Sequence, residues 1–342
     1  MTQQLIDFRS DTVTKPTPAM LEAMQKAALG DDVFGEDPTI NELEAKAVAL
    51  FGMEAALFCT SGTMTNQIGI KMHTQPGDEV ICDFLSHVYQ YEGGGIAFNA
   101  GASVRLLTGD RGRITAQQVL EAINPDDVHK PNSSLVVLEN TSNRGGGSCY
   151  ELAEIEAIKK VCTENNLKLH LDGARLFNAL VYKNQSAKDY GRLFDSISIC
   201  LSKGLGCPVG SVLIGTQEDI KKARRIRKVF GGGMRQAGML AAAGIYALDY
   251  HIQRLAQDHA HAKQIEAALL SHPLVETVIP VETNIIIFQL KPTITAADMV
   301  EKLKEKGILC FATGKQTIRF VTHLDVSEEM VGRTLEMIKE IK

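Results

Sequence analysis

The chain has 342 residues, 44% of them hydrophobic and 23% charged, enough to build one large domain and a smaller one. Its net charge of −5 gives no overall attraction to nucleic acid, and no apolar run approaches the ~20 residues that span a bilayer. Seven scattered cysteines without a C-x-x-C pair argue against a zinc site or a disulfide framework and for buried small apolar residues.

The opening MTQQLIDFRSDTVTK lacks the charged-then-apolar layout of a secretory signal, which points to the cytosol. β-type runs follow at 55–60 (AALFCT), 79–83 (EVICD), 103–107 (SVRLL), 134–140 (SLVVLEN), 167–172 (LKLHLD), 196–202 (SISICLS) and 211–215 (SVLIG). Amphipathic stretches separate them. In 151–166, for example, Leu152, Ile155, Ile158 and Cys162 share one face. Strands separated by helices predict an α/β fold with a mostly parallel, roughly seven-stranded sheet, because parallel neighbours need crossover connections. Ligands of such sheets bind at the carboxyl ends of the strands.

The basic run KKARRIRK, Lys221 to Lys228, has no interleaved aromatics and reads as a solvated helix face or a subunit contact rather than a nucleic-acid site. From Gly244 to about Leu270 the pattern is helical, and its three histidines (His251, His259, His261) read as a surface pattern rather than metal ligands. Then come NIIIFQL (284–290), a helix from Thr295 to Lys306 opened by a Thr295/Asp298 capping box, TIRFVTHL (317–324) and a last helix from Ser327. That succession predicts a smaller C-terminal α+β domain, dividing the chain into 1–250 and 251–342.

Four pieces carry chemistry. Lys203, in CLSKGLGCPVGS, follows an apolar strand and precedes a glycine-rich turn, which sets an amine at a strand end where it can attack a carbonyl; Ser202 beside it can hold a phosphate oxygen. Asp172, in LHLDGAR, ends an alternating strand. Opposite a pyridine nitrogen, such a carboxylate keeps the ring protonated and electron-accepting, and Arg175 can bind a substrate carboxylate. In TSGTMTN, the N–H groups of Gly62 and Thr63 and the hydroxyls of Ser61 and Thr63 can cup a phosphate at a helix N-terminus. His87, in SHVYQYEGGG, can stack on a planar cofactor and move protons. Each piece alone also fits a plain structural role, as a loop lysine, an N-cap, a strand-to-helix turn or a structural histidine. Together they describe a pyridoxal 5'-phosphate site.

Much of the chain resembles the L-threonine aldolases, a family of fold-type-I (aspartate-aminotransferase-like) pyridoxal-phosphate enzymes. The matching stretches are FRSDTVT (8–14), GDDVFGEDPT (30–39), SGT (61–63), LDGARLFNA (171–179), CLSKGLG (200–206), GGGMRQAG (231–238), LAAAGIYAL (240–248) and RFVTHLD (319–325). The resemblance implies that Lys203 holds the cofactor as a Schiff base, Asp172 meets the ring nitrogen, His87 stacks on the ring, and Gly62 and Thr63 bind the phosphate. It also implies substrate-carboxylate contacts from Ser10, Arg175 and Arg319, an Arg235 that meets a cofactor phosphate, of its own or of a neighbouring subunit, and a homotetramer built from dimers.

The implied reaction is retro-aldol cleavage of L-threonine, L-allo-threonine or a related 3-hydroxy amino acid to glycine and an aldehyde, with His87 or His129 taking the hydroxyl proton. A β-eliminating lyase or an aminotransferase acting on a small amino acid is the alternative. One departure stands out: where family members often read E-N-T-H-N, this chain has ENTSN, with Ser142 in place of the histidine.

Overall fold

The computed structural model describes residues 5–341. The seven β-type runs form one sheet: β1 (Ala55–Cys59), β2 (Glu79–Asp83), β3 (Ser103–Leu107), β4 (Ser133–Glu139), β5 (Lys168–Gly173), β6 (Ser196–Cys200) and β7 (Ser211–Gly215). Their spatial order is β1-β7-β6-β5-β4-β2-β3. Neighbours from β6 through β3 run parallel, whereas β7 is antiparallel to both β6 and β1. Six strands therefore share one direction, and β7 alone is reversed.

β1, β2, β6 and β7 are buried throughout, as strands covered on both faces must be, while the edge strand β3 is largely exposed. Two helices flank the strands that lead into the site. α1 (Pro38–Phe51) packs beside β1, and α2 (Gly62–His73) lies across β6 and β7.

A second, four-stranded antiparallel sheet holds β8 (Val275–Val278), β9 (Ile285–Leu290), β10 (Phe311–Ala312) and β11 (Thr317–Val321), in the order β10-β11-β9-β8. Helices Ala296–Glu305 and Glu328–Glu340 accompany it, and the Thr295/Asp298 capping box is formed. Its apolar cluster draws on residues 262–341 and also takes Ile6 and Phe8, whose segment pairs alongside Ile308–Leu309. Phe8 stacks on Phe320 at 5.1 Å, which brings the following residues, Arg9 to Thr14, to the mouth of the large sheet.

One reading of charged residues changes in three dimensions, and a second, the solvated face of the basic run, holds for Lys221, Lys222, Arg225 and Lys228 but not for Arg224 and Arg227. His251, His259 and His261 are buried, not superficial: they bond to Leu205 O, Asn178 Oδ1 and Glu328 Oε2 respectively. Helix α3 (Gln217–Val229), which carries the basic run, turns Arg227 into the core against Asp32 and the Phe58 carbonyl, and pairs Arg224 with Glu44. A helix three turns long that covers a sheet presents some of its positions inward whatever their charge, and partners there make burial tolerable. All seven cysteines are free and buried.

The N-terminal connection is anchored by Asp37, which is 1% exposed. Its Oδ1 accepts from the N–H groups of Thr39 and Ile40 and so caps α1; its Oδ2 accepts from Gly30 and Gly238. One carboxylate thus joins the 28–37 turn, α1 and the start of the helix at Gly238. Asp37→Ala strands four backbone donors, so we expect a loss of about 2–4 kcal/mol in urea unfolding; an unchanged midpoint would show that the turn is held elsewhere.

Candidate active site

Because six strands run the same way, the segments that follow them meet at one edge. β1 leads to Ser61–Asn66, β2 to His87, β4 ends at Glu139, β5 presents Asp172 and leads to Arg175, and β6 leads to Ser202 and Lys203. There they line two adjoining crevices. One, of about 290 Å³, is bordered by Gly62, Thr63, Asn66, His87, Asp172, Ser202 and Lys203; the other, of about 440 Å³, by Ser10, His87, Tyr91, Asn143, Arg175, Lys203 and Arg319. Thr12, His87 and Lys203 belong to both.

The first crevice is acidic on its inner side, where Asp172 lines it and buried Glu92 and Glu139 lie behind. Asp172 is 1% exposed; its Oδ2 accepts from Asn66 Nδ2 at 2.9 Å and its Oδ1 from the Ala174 N–H at 3.1 Å. His87 Nδ1 bonds to buried Glu92 Oε1 at 2.9 Å. Burial works against a charged His87, but the Glu92 bond and the charge of Asp172 outweigh it and raise the imidazole's pKa. Glu139, next to Asp172 in register, accepts from the N–H groups of His87 and Asn143. Its carboxyl is pushed up to about 7, by burial first and then by the charge of Asp172.

The second crevice is basic. Arg175 forms a buried two-point pair with Asp11, Nε and Nη2 each at 2.7 Å from a carboxylate oxygen. Burial would raise the Asp11 pKa, yet Arg175 holds it down to about 2. Arg319, on β11, donates Nη1 to Asn143 Oδ1 and Nη2 to the Arg9 carbonyl, while its Nε is buried without a partner among the described residues. Burial, followed by the like charge of Arg175, lowers its pKa to about 10. Three guanidiniums, of Arg144, Arg175 and Arg319, with the one buried carboxylate of Asp11 paired to Arg175, leave a net positive pocket that an anion would complete.

These donors fit pyridoxal phosphate. α2 begins at Gly62, where first-turn N–H groups have no acceptor within the helix and the dipole favours a phosphate. Asp172 offers an oriented anion for a ring nitrogen, and Lys203 an amine for an aldehyde. His87 supplies a flat ring at the border between the crevices.

Lys203, Asp172, His87, Gly62, Thr63 and Ser202 are therefore brought together in one crevice, and Ser10, Arg175 and Arg319 in the other. Ser61 caps α2 through Met64 N and, with Thr63, faces a neighbouring hollow. His129 is not brought in: it lies in the exposed loop before β4, at the amino end of the sheet, with its ring bonded to Asp127. Arg235 also lines neither crevice of its own chain; it is exposed, pairs with Asp31 and lies over the Phe34 ring. Ser142 is buried in a turn, where its Oγ accepts from Gly145 N, and its neighbour Asn143 is the one facing the basic crevice.

Sequence reasoning passed over Asp11, Thr12, Asn66, Glu92 and Asn143, although all five sit in the same short stretches as residues it did name. Their signal was their place beside a strand end rather than any spacing of their own.

The raised carboxyl of Glu139 gives a pH test on the cofactor-free protein. A carboxyl whose folded pKa lies above its unfolded value contributes stability that is complete at low pH and is lost as pH rises through the folded value. Unfolding free energy should therefore fall as pH goes from about 5 to about 7, and Glu139→Gln should flatten that fall. An identical slope in the variant would assign it to another group.

The profile of the beta-eliminating lyase family matches residues 7–293. The low specificity L-threonine aldolase of Escherichia coli (strain K12) is 42% identical over 332 residues, covering 96% of each chain. The low-specificity L-threonine aldolase 1 of Arabidopsis thaliana is 38% identical over 347 residues, covering 99% of this chain and 97% of its own. Among solved structures, the threonine aldolase of Leishmania major superposes with a TM-score of 0.85 at 24% identity, over 98% of both chains. The serine palmitoyltransferase of Sphingomonas wittichii gives 0.76 at 15% identity, over 98% of this chain and 86% of the other. Likenesses at that identity speak for the fold alone, which hosts more than one reaction.

Proposed function

We infer that this chain, which belongs to the beta-eliminating lyase family and stands with its L-threonine aldolases, cleaves L-threonine, L-allo-threonine and related 3-hydroxy amino acids to glycine and an aldehyde. It is an aldehyde-lyase, and its cofactor is pyridoxal 5'-phosphate. The observation that carries the residue assignments is the meeting of an acidic and a basic crevice at Lys203 and His87.

Bound in the acidic crevice, the cofactor supplies an electron sink for the pair released when the substrate's Cα–Cβ bond breaks. Lys203 would hold its aldehyde carbon, Asp172 its ring nitrogen, His87 its face, and Gly62, Thr63 and Ser202 its phosphate. Arg319, Arg175 and Ser10 hold the amino acid's carboxylate in the basic crevice. Fixing that group on one side would orient the Cα–Cβ bond so that the cofactor can accept the electrons it releases.

The hydroxyl proton must leave as the aldehyde forms, and His87 takes it, directly or through one water; a positioned base of this kind contributes ~10²–10⁴-fold. His129 would have to serve a neighbouring copy's crevice. The reading extends to a cytoplasmic homotetramer, a dimer of dimers. Seven free buried cysteines suit a reducing compartment. Exposed Phe98 and Val229, which flank the hollow beside Ser61 and Thr63, suit a subunit contact, and exposed Arg235 would leave Asp31 to meet a neighbour's phosphate.

With saturating cofactor, L-threonine should yield acetaldehyde and glycine in equal amounts. A 2-oxo acid with ammonia, or amino transfer to a keto acid, would support the eliminating or transaminating alternative instead. Lys203→Ala should lose the visible absorbance of the bound cofactor. Arg319→Ala should raise KM by ~10–100-fold, the worth of a hydrogen-bonded charge pair, and an unchanged KM would remove it from the carboxylate clamp.

A further inference from the structure

Beneath Asp172 the interior is polar where a parallel sheet is ordinarily apolar. Residues alternate along β5, so His170 shares a face with Asp172, and α2 lies on that face. Asn66 of α2, 2% exposed, donates its amide nitrogen to two carboxylates, Asp172 Oδ2 and Glu92 Oε1, each at 2.9 Å. Both amide hydrogens are thereby used. A reversed amide would turn its oxygen toward two anions, so only one orientation is stable.

That orientation directs Asn66 Oδ1 to His170 Nε2, 3.3 Å away, which must then carry the imidazole's proton. His170 Nδ1 is left as an acceptor for Ser196 Oγ at 2.7 Å, and Ser196 Oγ in turn accepts from His73 Nε2 at 2.9 Å. Every donor in the string points the same way: His73, Ser196, His170, Asn66, then the two carboxylates. Burial keeps both rings neutral, pushing the His170 pKa down to about 3 and that of His73 to about 4, so each ring has a single proton to give.

The backbone makes room for this string. Gly69 sits inside α2, a position that helices disfavour for glycine, and a Cβ there would lie 2.6 Å from the His170 ring. Gly95 does the same for Gln67, whose Nε2 donates to Glu92 Oε2 at 2.6 Å. Glu92 is thus held on one oxygen by Asn66 and His87 and on the other by Gln67.

We propose that Asn66 is a positioning residue that fixes Asp172 against the cofactor's ring nitrogen and Glu92 behind His87 at once, its amide held in place from the oxygen side by the His73–Ser196–His170 string. This rests on the assignment of Asp172 and His87 to the cofactor's ring. Loss of the string leaves Asn66 Oδ1 without its donor, so the amide is tethered on one side only; its bonds to Asp172 and Glu92 weaken and the ring's two contacts loosen together. The carboxylate clamp, on the other side of Lys203, is untouched.

The test uses holoenzyme carrying cofactor labelled with ¹⁵N at the pyridine nitrogen, whose chemical shift reports protonation. In Asn66→Ala and His170→Phe we expect the ring nitrogen to lose its proton at a pH at least one unit lower than in wild type. Cofactor affinity should fall ~10-fold, and kcat ~10–100-fold with little change in KM. Wild-type titration of the nitrogen in both variants, with cofactor affinity within threefold, would overturn the proposal.

Should either variant fold poorly, Ser196→Ala breaks the string without altering ring packing. It should move the nitrogen's titration in the same direction by a smaller amount, and no movement counts against the string. Asp172→Asn separates the two levels. If it too leaves the nitrogen unaffected, the assignment of Asp172 itself fails; if it alone shifts the nitrogen, only the network fails.

Discussion

The constraint on which the site depends is the burial of carboxylates at the end of one sheet. Glu92, Glu139 and Asp172 are each less than a tenth exposed, and Glu139 and Asp172 are neighbours in register. Burying charges of one sign together is costly unless each finds a compensating group. The protein compensates in three ways: amide donors from Asn66 and Gln67, the imidazole of His87, and a raised pKa at Glu139 that lets it hold a proton near neutrality. A region balanced in this way favours a cationic ring and an amine beside it.

On the other side of Lys203 the balance is reversed. Asp11 answers one guanidinium, and Arg319 is left with a buried Nε that no described group satisfies. An α-amino acid has a carboxylate and an amine close together, so a site with a basic half and an acidic half sorts its two ends before any side-chain pocket acts. The basic crevice also joins the two sheets. Arg319 comes from β11, yet it is held by Asn143 from the loop after β4 and by the Arg9 carbonyl of the N-terminal segment. Glu139 bonds to the Asn143 N–H and to the His87 N–H, linking the position of Arg319's partner to that of His87.

Much of this was legible before folding. The seven strands were marked by short apolar runs between amphipathic stretches, and Lys203, Asp172, His87 and Gly62 each stood at or just past the end of such a run. What misled was exposure. The helical histidines at 251, 259 and 261 looked superficial because polar residues surround them in sequence, yet each found a buried partner from a distant segment. His129 read as a site residue by resemblance, and its loop opens at the wrong end of β4 for its own crevice.

The sequence by itself determined the strand order along the chain, the chemistry of the residues at strand ends and the kinship that names the cofactor, because periodicity, turn residues and side-chain type are local properties. Tertiary structure alone decided which residues share a surface. Asn66 and His170 are far apart in the chain and meet because α2 packs on the face of β5; Arg175 and Asp11 meet because the N-terminal segment, held by Phe8 on Phe320, reaches the mouth of the large sheet. Whether a charged group is buried, and what answers it there, is a property of that meeting and of no single stretch of residues.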